Sequence, residues 1–334
     1  MKYSLFSVQD HYSAQARTIG EFYREVMAQC ELGEELGYDS FFVAEHHFHE
    51  YGTVPNPAVL LAALSQRTRR IRLGPAISVL TYHNPLTVAE NYAMVDVLSG
   101  GRLVLGVGSG YLKHEFEGYR IDPAEKRDRF DENLEIFRRA LAGETVVFEG
   151  KYRKLDGVAI NVPTVQRPRP PLYIGILRME AAFHVGLRGD NIMTVPYGSL
   201  ERFEEIAGLV TEYRRGRAEA GLDADSGDAL FALHTSVAES DEEARRQAAA
   251  SFDLYVKTRL YAKRQTYSDI VRSGLALFGS VETVAEKMVR LHNMGVRHVM
   301  SLQNFGNLPA DAVRRSMQLF AEEVMPRVRK RLGL

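Results

Sequence analysis

Residues 39–48 read DSFFVAEHHF, a stretch that combines a structural signal with a chemical one. Its first half is a short apolar run with the length and aromatic content of a buried β-strand. The run ends in Glu45, His46 and His47 and continues into a loop that contains Gly52. A core histidine beside a surface histidine would be the simpler explanation of the pair. Parallel α/β folds keep their chemistry at the carboxyl ends of strands, however, so this order of residues favours a functional site.

Strand-like and helix-like runs alternate on both sides of this stretch. Eight strands are predicted, at residues 3–8, 40–44, 71–79, 102–107, 172–176, 191–195, 229–237 and 296–302. The predicted helices lie at residues 22–36, 57–67, 86–98, 128–141, 180–187, 200–220, 241–261, 281–294 and 310–329. Eight strand–helix units in one continuous chain predict an α/β fold, a single (β/α)8 TIM barrel spanning residues 1–334.

Two segments do not fit the repeating unit and are predicted to be insertions. Residues 145–165, after the fourth helix, alternate like a hairpin and end in a proline-rich stretch, and the second insertion lies between the seventh and eighth strands. The main competing architecture is an open doubly wound sheet, whose glycine fingerprint would follow the first strand. Residues 9–12 at that place read QDHY and contain no glycine.

The composition limits the classes of partner. The chain has 334 residues, of which 45% are hydrophobic, and its formal net charge is -1. This balance implies no electrostatic attraction to nucleic acid or to a membrane. Cys30 is the single cysteine, so no disulfide framework or cysteine metal cluster is expected. Without a signal-like or membrane-spanning run, the expectation is a soluble cytoplasmic protein.

In a barrel the carboxyl ends of all strands meet at one rim, which gathers the candidate site. Besides Glu45, His46 and His47, the rim residues of interest are Ala76, Ile77, Ser109, Gly110, Tyr111, Gly175 and Arg178. The glycine-rich run at 106–111 could let a phosphate approach the backbone, or it could be a tight barrel corner. Arg127 could supply a cation, or it could belong to a solvated helix start.

A metal site is not expected at the histidine pair. Adjacent residues on a strand point to opposite faces, whereas two ligands of one ion would more naturally be spaced His-x-His. The sequence also lacks a second cluster of His, Asp and Glu with ligand spacing.

Several motifs follow one another along the chain. They are GYD at 37–39, EHHF at 45–48, NP at 84–85, AE at 89–90, DVLSGGR at 96–102, GVGSGY at 106–111, VQRP at 165–168, MQLF at 317–320 and VMP at 324–326. In this order they resemble the bacterial luciferase-like flavin monooxygenases over essentially the whole chain. EHHF is more similar to the luciferase branch than to the deazaflavin branch of that superfamily.

The resemblance implies a (β/α)8 barrel that binds reduced FMN, supplied by a separate, transiently bound flavin reductase. Oxygen would add to the flavin, and the C4a-peroxide would oxidise a small organic substrate. Glu45, His46 and His47 are then the expected catalytic residues, with His46 as the base and His47 as a neighbour of the flavin. The resemblance also implies a cis peptide bond between Ala76 and Ile77 beneath the flavin ring. The implied FMN-binding residues are Ala76, Ile77, Ser109, Gly110, Tyr111, Arg127, Gly175 and Arg178.

Departures from the family pattern keep alternatives open. Ser109 and Gly108 stand where the luciferase alpha subunit has an arginine and a reactive cysteine. Residues 175–180 read GILRME and lack the usual hydroxyl donors to the phosphate, which Arg178 could replace or whose loss could weaken the flavin site. The alternatives are an F420-dependent oxidoreductase of the same superfamily and a non-catalytic flavin-binding or partner subunit.

The helix predicted at 57–67 is apolar around nearly its whole circumference. A barrel helix needs one apolar stripe to cover the sheet, so a second apolar face indicates burial against another surface. This pattern and the resemblance predict a two-fold homodimer through this region, with Leu61 and Leu64 at the interface.

Overall fold

The computed structural model describes residues 1–12, 17–258 and 265–334, in which strands and helices alternate. The strands are β1 (Lys2–Ser7), β2 (Ser40–Val43), β3 (Arg72–Pro75), β4 (Ser78–Val79), β5 (Leu105–Gly108), β6 (Val146–Glu149), β7 (Lys154–Val158), β8 (Leu172–Ile176), β9 (Asn191–Thr194), β10 (Ala229–Ala238), β11 (Leu277–Ser280) and β12 (His298–Asn304). The helices are α1 (Ile19–Glu35), α2 (Pro57–Arg67), α3 (Pro85–Ser99), α4 (Lys113–Tyr119), α5 (Lys126–Leu141), α6 (Met179–Leu187), α7 (Glu205–Glu219), α8 (Asp241–Thr258), α9 (Tyr267–Ser273), α10 (Val281–Asn293), α11 (Ala310–Leu319) and α12 (Met325–Leu332).

The parallel strands form the predicted TIM-type barrel. Their hydrogen-bonded order is β3-β2-β1-β12-β10-β9-β8-β5-β4. β3 and β4 are successive segments of one barrel position, and a parallel bridge between Leu73 and Leu103 joins β3 to the chain that enters β5. The barrel therefore closes with eight strand positions, and their carboxyl ends share one rim.

The sequence-based boundaries agree with most elements but fail where the chain leaves the repeating unit. The predicted strand at 71–79 is two segments, β3 and β4, and the peptide bond between Ala76 and Ile77 separates them and is cis, as the resemblance implied. The predicted hairpin at 145–165 is the shorter antiparallel pair β6–β7. The end of the helix predicted at 241–261 lies outside the described residues.

Three elements were not predicted: α4, α9 and β11. α4 and α9 have seven residues each, and β11 pairs with β10 beside the barrel order. Elements of this length show too little periodicity to be recognised from the chain alone.

Several helices begin near the capping residues that the sequence predicts. Asn56 caps α2 by accepting a hydrogen bond from the Ala58 backbone N–H, and proline occupies the first helical position. Among the described helices, none has the length and apolarity needed to cross a lipid bilayer.

The predicted dimer contacts need a correction. Leu61 and Leu64 are fully buried against the barrel, so they cannot form an interface with a second chain. The outward face of α2 and α3 carries other apolar side chains. These are Val59, Met94, Val97 and Leu98, with exposed fractions of 68%, 51%, 45% and 46%.

Candidate active site

A cavity of about 940 Å³ opens at the carboxyl ends of the barrel strands. It is lined by residues from the ends of β1, β2, β4, β8 and β9 and from helices α5 and α6. Most of the predicted site residues meet there. They are Glu45, His46, Ala76, Ile77, Ser109, Gly110, Tyr111, Arg127, Gly175 and Arg178.

His47 is the predicted site residue that does not line the cavity. It is 4% exposed and lies behind the cavity wall, where its Nε2 is 3.1 Å from Glu45 Oε1 and its Nδ1 is 3.0 Å from the Tyr119 hydroxyl. Both histidines follow the end of β2 at Val43; His46 faces the cavity and His47 does not.

His46 is held by a carboxylate from the unpredicted helix α4. Its Nδ1 lies 3.1 Å from Glu115 Oε1, which also accepts a 3.0 Å hydrogen bond from the His47 backbone N–H. The Tyr82 hydroxyl donates to Glu115 Oε2 over 3.2 Å. Burial and the Glu115 charge raise the pKa of Tyr82, which keeps it a neutral donor. An ionised Glu115 carboxylate only accepts, which favours the His46 tautomer that carries its proton on Nδ1 and leaves Nε2 as the basic nitrogen.

A second carboxylate, Glu45, lies in the cavity wall and holds the neighbouring chain segments. Glu45 Oε1 accepts hydrogen bonds from His47 and, over 2.7 Å, from His83 Nε2. Its Oε2 accepts from the Ser78 hydroxyl at 2.9 Å and from the Val79 N–H at 3.1 Å. Burial alone would raise the pKa of Glu45, but the hydrogen bonds from His47 and His83 outweigh it and lower the pKa to about 2.

Glu45, His47 and His83 form a candidate set of metal ligands that was not predicted from the sequence. Their ligand atoms all lie within 4.8 Å of one another. Glu45-x-His47 has the spacing that brings two strand residues to one face, and His83 arrives from the loop after β4. The hydrogen bonds described above already satisfy both oxygens of the carboxylate, so the arrangement is complete as a hydrogen-bonded anchor for β4.

Ile77 forms an apolar floor across two neighbouring strands. A Cβ at Gly108 of β5 would collide with the Ile77 side chain, and one at Gly175 of β8 would lie 2.8 Å from Ile77 Cγ2. Both strands therefore need glycine where they pass this side chain. The result is a smooth surface at the base of the cavity, adjacent to the cis peptide bond.

The part of the cavity wall formed by α5 and the start of α6 carries several charged side chains. Lys126 and Arg178 line it, and neither has an ion pair or side-chain hydrogen bond with a described residue. Partial burial and the nearby Arg178 charge lower the pKa of Lys126. Arg127 also lines the cavity, but its Nε donates to Asp131 Oδ2 over 2.8 Å. Two nearby cations that have no ion-pair partner among the described residues are suited to bind an anion.

Sequence reasoning missed Glu115, Tyr82, His83, Tyr119 and Lys126. Four of them lie in loops or in the short helix α4, outside any long periodic segment. Glu115 and Tyr119 are four residues apart, the spacing that puts two side chains on one helix face. That spacing, after a glycine-rich strand end, was the available signal.

A second histidine network joins β1, the first residue of β12 and the residue before β10. Ser4 Oγ is 2.7 Å from His298 Nε2, and His298 Nδ1 is 3.1 Å from Asp228 Oδ2. This is the order of groups in a nucleophilic triad. Ser4 is fully buried and does not line the cavity, so the network is structural.

Comparisons with known proteins agree with this architecture. The model of the luciferase-like monooxygenase family matches residues 1–298. The crystal structure of monooxygenase RslO1 from Streptomyces bottropensis superposes with a TM-score of 0.90 at 30% identity, covering 98% of this chain and 99% of that one.

Two further matches differ in the cofactor that they name. The oxygenating constituent of 3,6-diketocamphane monooxygenase from Pseudomonas putida, solved in complex with FMN, has a TM-score of 0.82 at 19% identity and 98% coverage of both chains. An F420-dependent glucose-6-phosphate dehydrogenase of Microbacterium testaceum is 27% identical over 96% of this chain and 98% of its own.

Proposed function

The chain belongs to the luciferase-like monooxygenase family, and on that premise we propose that it is the oxygenase of a two-component system. It would take reduced FMN from a separate flavin reductase and use O2 to oxidise a small organic substrate. The observation that carries the proposal is the chemical division of one cavity. His46, held by Glu115, lines one part of the cavity. Lys126 and Arg178, which have no ion-pair partner among the described residues, line another part.

The cavity residues fit FMN. Lys126 and Arg178 would hold the phosphate, since two unpaired cations favour a doubly charged anion. The Ile77 floor, backed by Gly108 and Gly175, would support the flat ring. Ser109, Gly110 and Tyr111 lie between these two regions on the rim. When bound, reduced flavin supplies the electrons that activate O2.

The protein's own part in the reaction is to orient, to exclude water and to move a proton. Glu115 holds the His46 ring by Nδ1, which directs the basic Nε2 to a fixed position. Phe6, Val8 and Met300 contribute apolar walls that keep water from the reacting groups. His46 would therefore accept a proton from the substrate or return one to it.

The F420 alternative remains the principal competitor. It is favoured by the dehydrogenase relative, which is similar over nearly its whole length. A deazaflavin oxidoreductase would move a hydride instead of activating O2, and the same basic histidine could serve that reaction. The third alternative, a non-catalytic subunit, would make the His46–Glu115 pair dispensable, so equal product formation by wild type and His46→Ala would favour it.

We also propose that the protein is a homodimer through α2 and α3. Val59, Met94, Val97 and Leu98 are large apolar side chains exposed on these neighbouring helices. Several large exposed apolar side chains on adjacent helices are typical of a protein–protein interface. A second copy of the chain is the simplest partner, since two-fold dimers are the commonest assemblies.

Flavin titration tests the cofactor assignment. FMN should bind the wild type more tightly than riboflavin, which lacks the phosphate. Lys126→Ala and Arg178→Ala should each weaken FMN binding by about tenfold while leaving riboflavin affinity unchanged. Arg129→Ala is the matched control, because Arg129 lies on α5 but pairs with Glu125 outside the cavity. Equal affinities of the wild type for FMN and riboflavin would contradict the phosphate site.

A further inference from the structure

Two histidines and one carboxylate beside the cavity converge on one point. Glu45 Oε1 lies 3.1 Å from His47 Nε2 and 2.7 Å from His83 Nε2, and the three atoms are all within 4.8 Å of one another. The two imidazole rings therefore direct the same ring nitrogen at the same carboxylate oxygen. Hydrogen bonds hold the three groups together in the structure, and a single cation with nitrogen and oxygen ligands would satisfy the same three atoms.

The chemistry of these three groups is that of a zinc site. Two imidazole nitrogens and one carboxylate oxygen, with a fourth position open to water, form a common tetrahedral Zn²⁺ site. Bonds of roughly 2.0–2.2 Å place neighbouring ligand atoms of such a tetrahedron about 3.3–3.5 Å apart. The two distances from Glu45 Oε1 would have to lengthen by less than about 1 Å to reach this geometry. Mg²⁺ and Ca²⁺ take oxygen ligands, so they do not match two imidazoles.

The groups around the two histidines suit a bound ion. The Tyr119 hydroxyl lies 3.0 Å from His47 Nδ1, where its oxygen can accept the proton that Nδ1 carries when Nε2 binds a metal. The backbone of His83 is fixed, because its carbonyl oxygen accepts hydrogen bonds from Arg153 Nη2 over 3.0 Å and from Asn133 Nδ2 over 3.3 Å. Both ligands are therefore held in place before an ion arrives.

We propose that Glu45, His47 and His83 bind Zn²⁺. The side chains of Glu45 and His47 are 2% and 4% exposed, whereas that of His83 is 28% exposed, so the ion would enter past His83. The other oxygen of Glu45 accepts hydrogen bonds from the Ser78 hydroxyl and the Val79 N–H. The ion would thereby fasten β4 to the loop that follows it, whichever flavin the cavity binds.

Zinc titration of the protein without an affinity tag tests the site. Competition with a chromogenic chelator should give a single Zn²⁺ per chain with a Kd of about 1 μM or lower. Tyr119→Phe removes a hydrogen bond to a ligand and should weaken zinc binding by about 10–100-fold. His83→Ala removes a ligand and should weaken it by at least as much. His49→Ala is the matched control, because His49 packs on His114 nearby but lies outside the set of ligands.

Thermal unfolding gives a second readout. Saturating Zn²⁺ should raise the Tm of the wild type by at least about 3 °C and leave that of His83→Ala unchanged, since an ion that binds only the folded state stabilises it. Circular dichroism in the presence of a chelator checks that each variant is folded.

Three results would overturn the zinc site. The first is a wild-type Kd above about 100 μM, and the second is equal zinc affinity of the wild type and a folded His83→Ala. If His83→Ala does not fold, unchanged zinc affinity in Tyr119→Phe takes the place of the second result. The third is a loss in His49→Ala as large as that in His83→Ala, which would place the ion at His49 and His114.

Discussion

At the scale of single residues, His46 and His47 show how adjacent identical side chains acquire different tasks. His46 lines the cavity with Nδ1 held by Glu115, and His47 is buried between Glu45 and Tyr119. Both lie in the segment that follows β2, and different carboxylates hold the two rings. His46 is therefore the candidate proton carrier, and His47 links the anchor of β4 to α4.

Replacement of His46 tests this division. His46→Ala should lower turnover by about 10²–10⁴-fold if His46 is the acid/base group, while FMN affinity stays near that of the wild type. Glu115→Gln keeps the shape of the side chain but removes the charge that fixes the Nδ1 proton, so it should shift the pH profile of kcat. Loss of less than tenfold in His46→Ala would remove His46 from the role.

Asp10 predicts a pH-dependent stability. Burial raises its pKa to about 6 from an ordinary 3.8, although the Gly306 N–H and the Tyr12 hydroxyl donate to it. A raised pKa means that the folded state favours the protonated form. The contribution of Asp10 to stability is thus fully present below about pH 4 and is lost as the pH rises through about 6.

Asp10→Asn should remove this dependence, since the amide cannot ionise. The free energy of unfolding of the variant minus that of the wild type should therefore increase by up to about 3 kcal/mol from pH 4 to pH 7. Urea unfolding at several pH values measures the difference. Parallel stability curves for the two proteins would show that Asp10 does not titrate in this range.

At the scale of elements, the long periodic segments were predictable and the short ones were not. α5 carries an apolar stripe, and α2 and α3 are apolar helices that begin with an Asn cap followed by proline. α4 has seven residues and its N-cap residue, Leu112, makes no side-chain capping hydrogen bond, so no start signal marked it. Because α4 supplies Glu115, the partner of His46 was not predicted from the sequence.

Arg102 joins elements that are separate in sequence. Its guanidinium donates to the backbone oxygens of Ser99, Ile71, Ser65 and Thr68 and to the Thr68 hydroxyl, over 2.7 to 3.2 Å. It thereby ties the ends of α2 and α3 to the start of β3. Only a planar group with five N–H donors can serve these acceptors together.

Arg102→Lys should therefore be far from conservative. Lysine has fewer N–H donors than arginine, so some of these carbonyl groups would lose their hydrogen bonds. This loss should cost about 2–3 kcal/mol of stability and lower Tm. Differential scanning calorimetry measures the loss. Arg67→Lys is the control, because Arg67 makes an exposed ion pair with Glu31 that should contribute little. Equal Tm values for both variants and the wild type would contradict the role of Arg102.

At the scale of the whole molecule, the number of strand–helix units sufficed to predict a barrel. It also placed the strand ends at one rim, which is why most predicted site residues meet in the cavity. Contacts between loops depend on side chains that approach from distant segments, as His83 approaches Glu45. Lys126 and Arg178 have no ion-pair partner among the described residues. This too depends on the folded structure and could not be predicted from the sequence.

Oligomeric state is a prediction at the same scale. Light scattering should give a mass of about twice 37.6 kDa at micromolar concentration. Val59→Glu or Met94→Glu should yield a folded monomer, because a charge in an apolar interface loses its hydration. Val271→Glu is the control, since Val271 is 41% exposed on α9, away from the patch. A wild-type mass near 37.6 kDa would exclude the dimer.

The choice of cofactor is the central claim, and a direct comparison of FMN with F420 tests it. Both are titrated into the same wild-type preparation, oxidised and reduced, and binding is read from the flavin and deazaflavin fluorescence. FMN should bind more tightly than F420, and Arg178→Ala should weaken FMN binding. Tighter binding of F420, with no measurable binding of reduced FMN, would contradict the monooxygenase assignment and support hydride transfer at the same histidine.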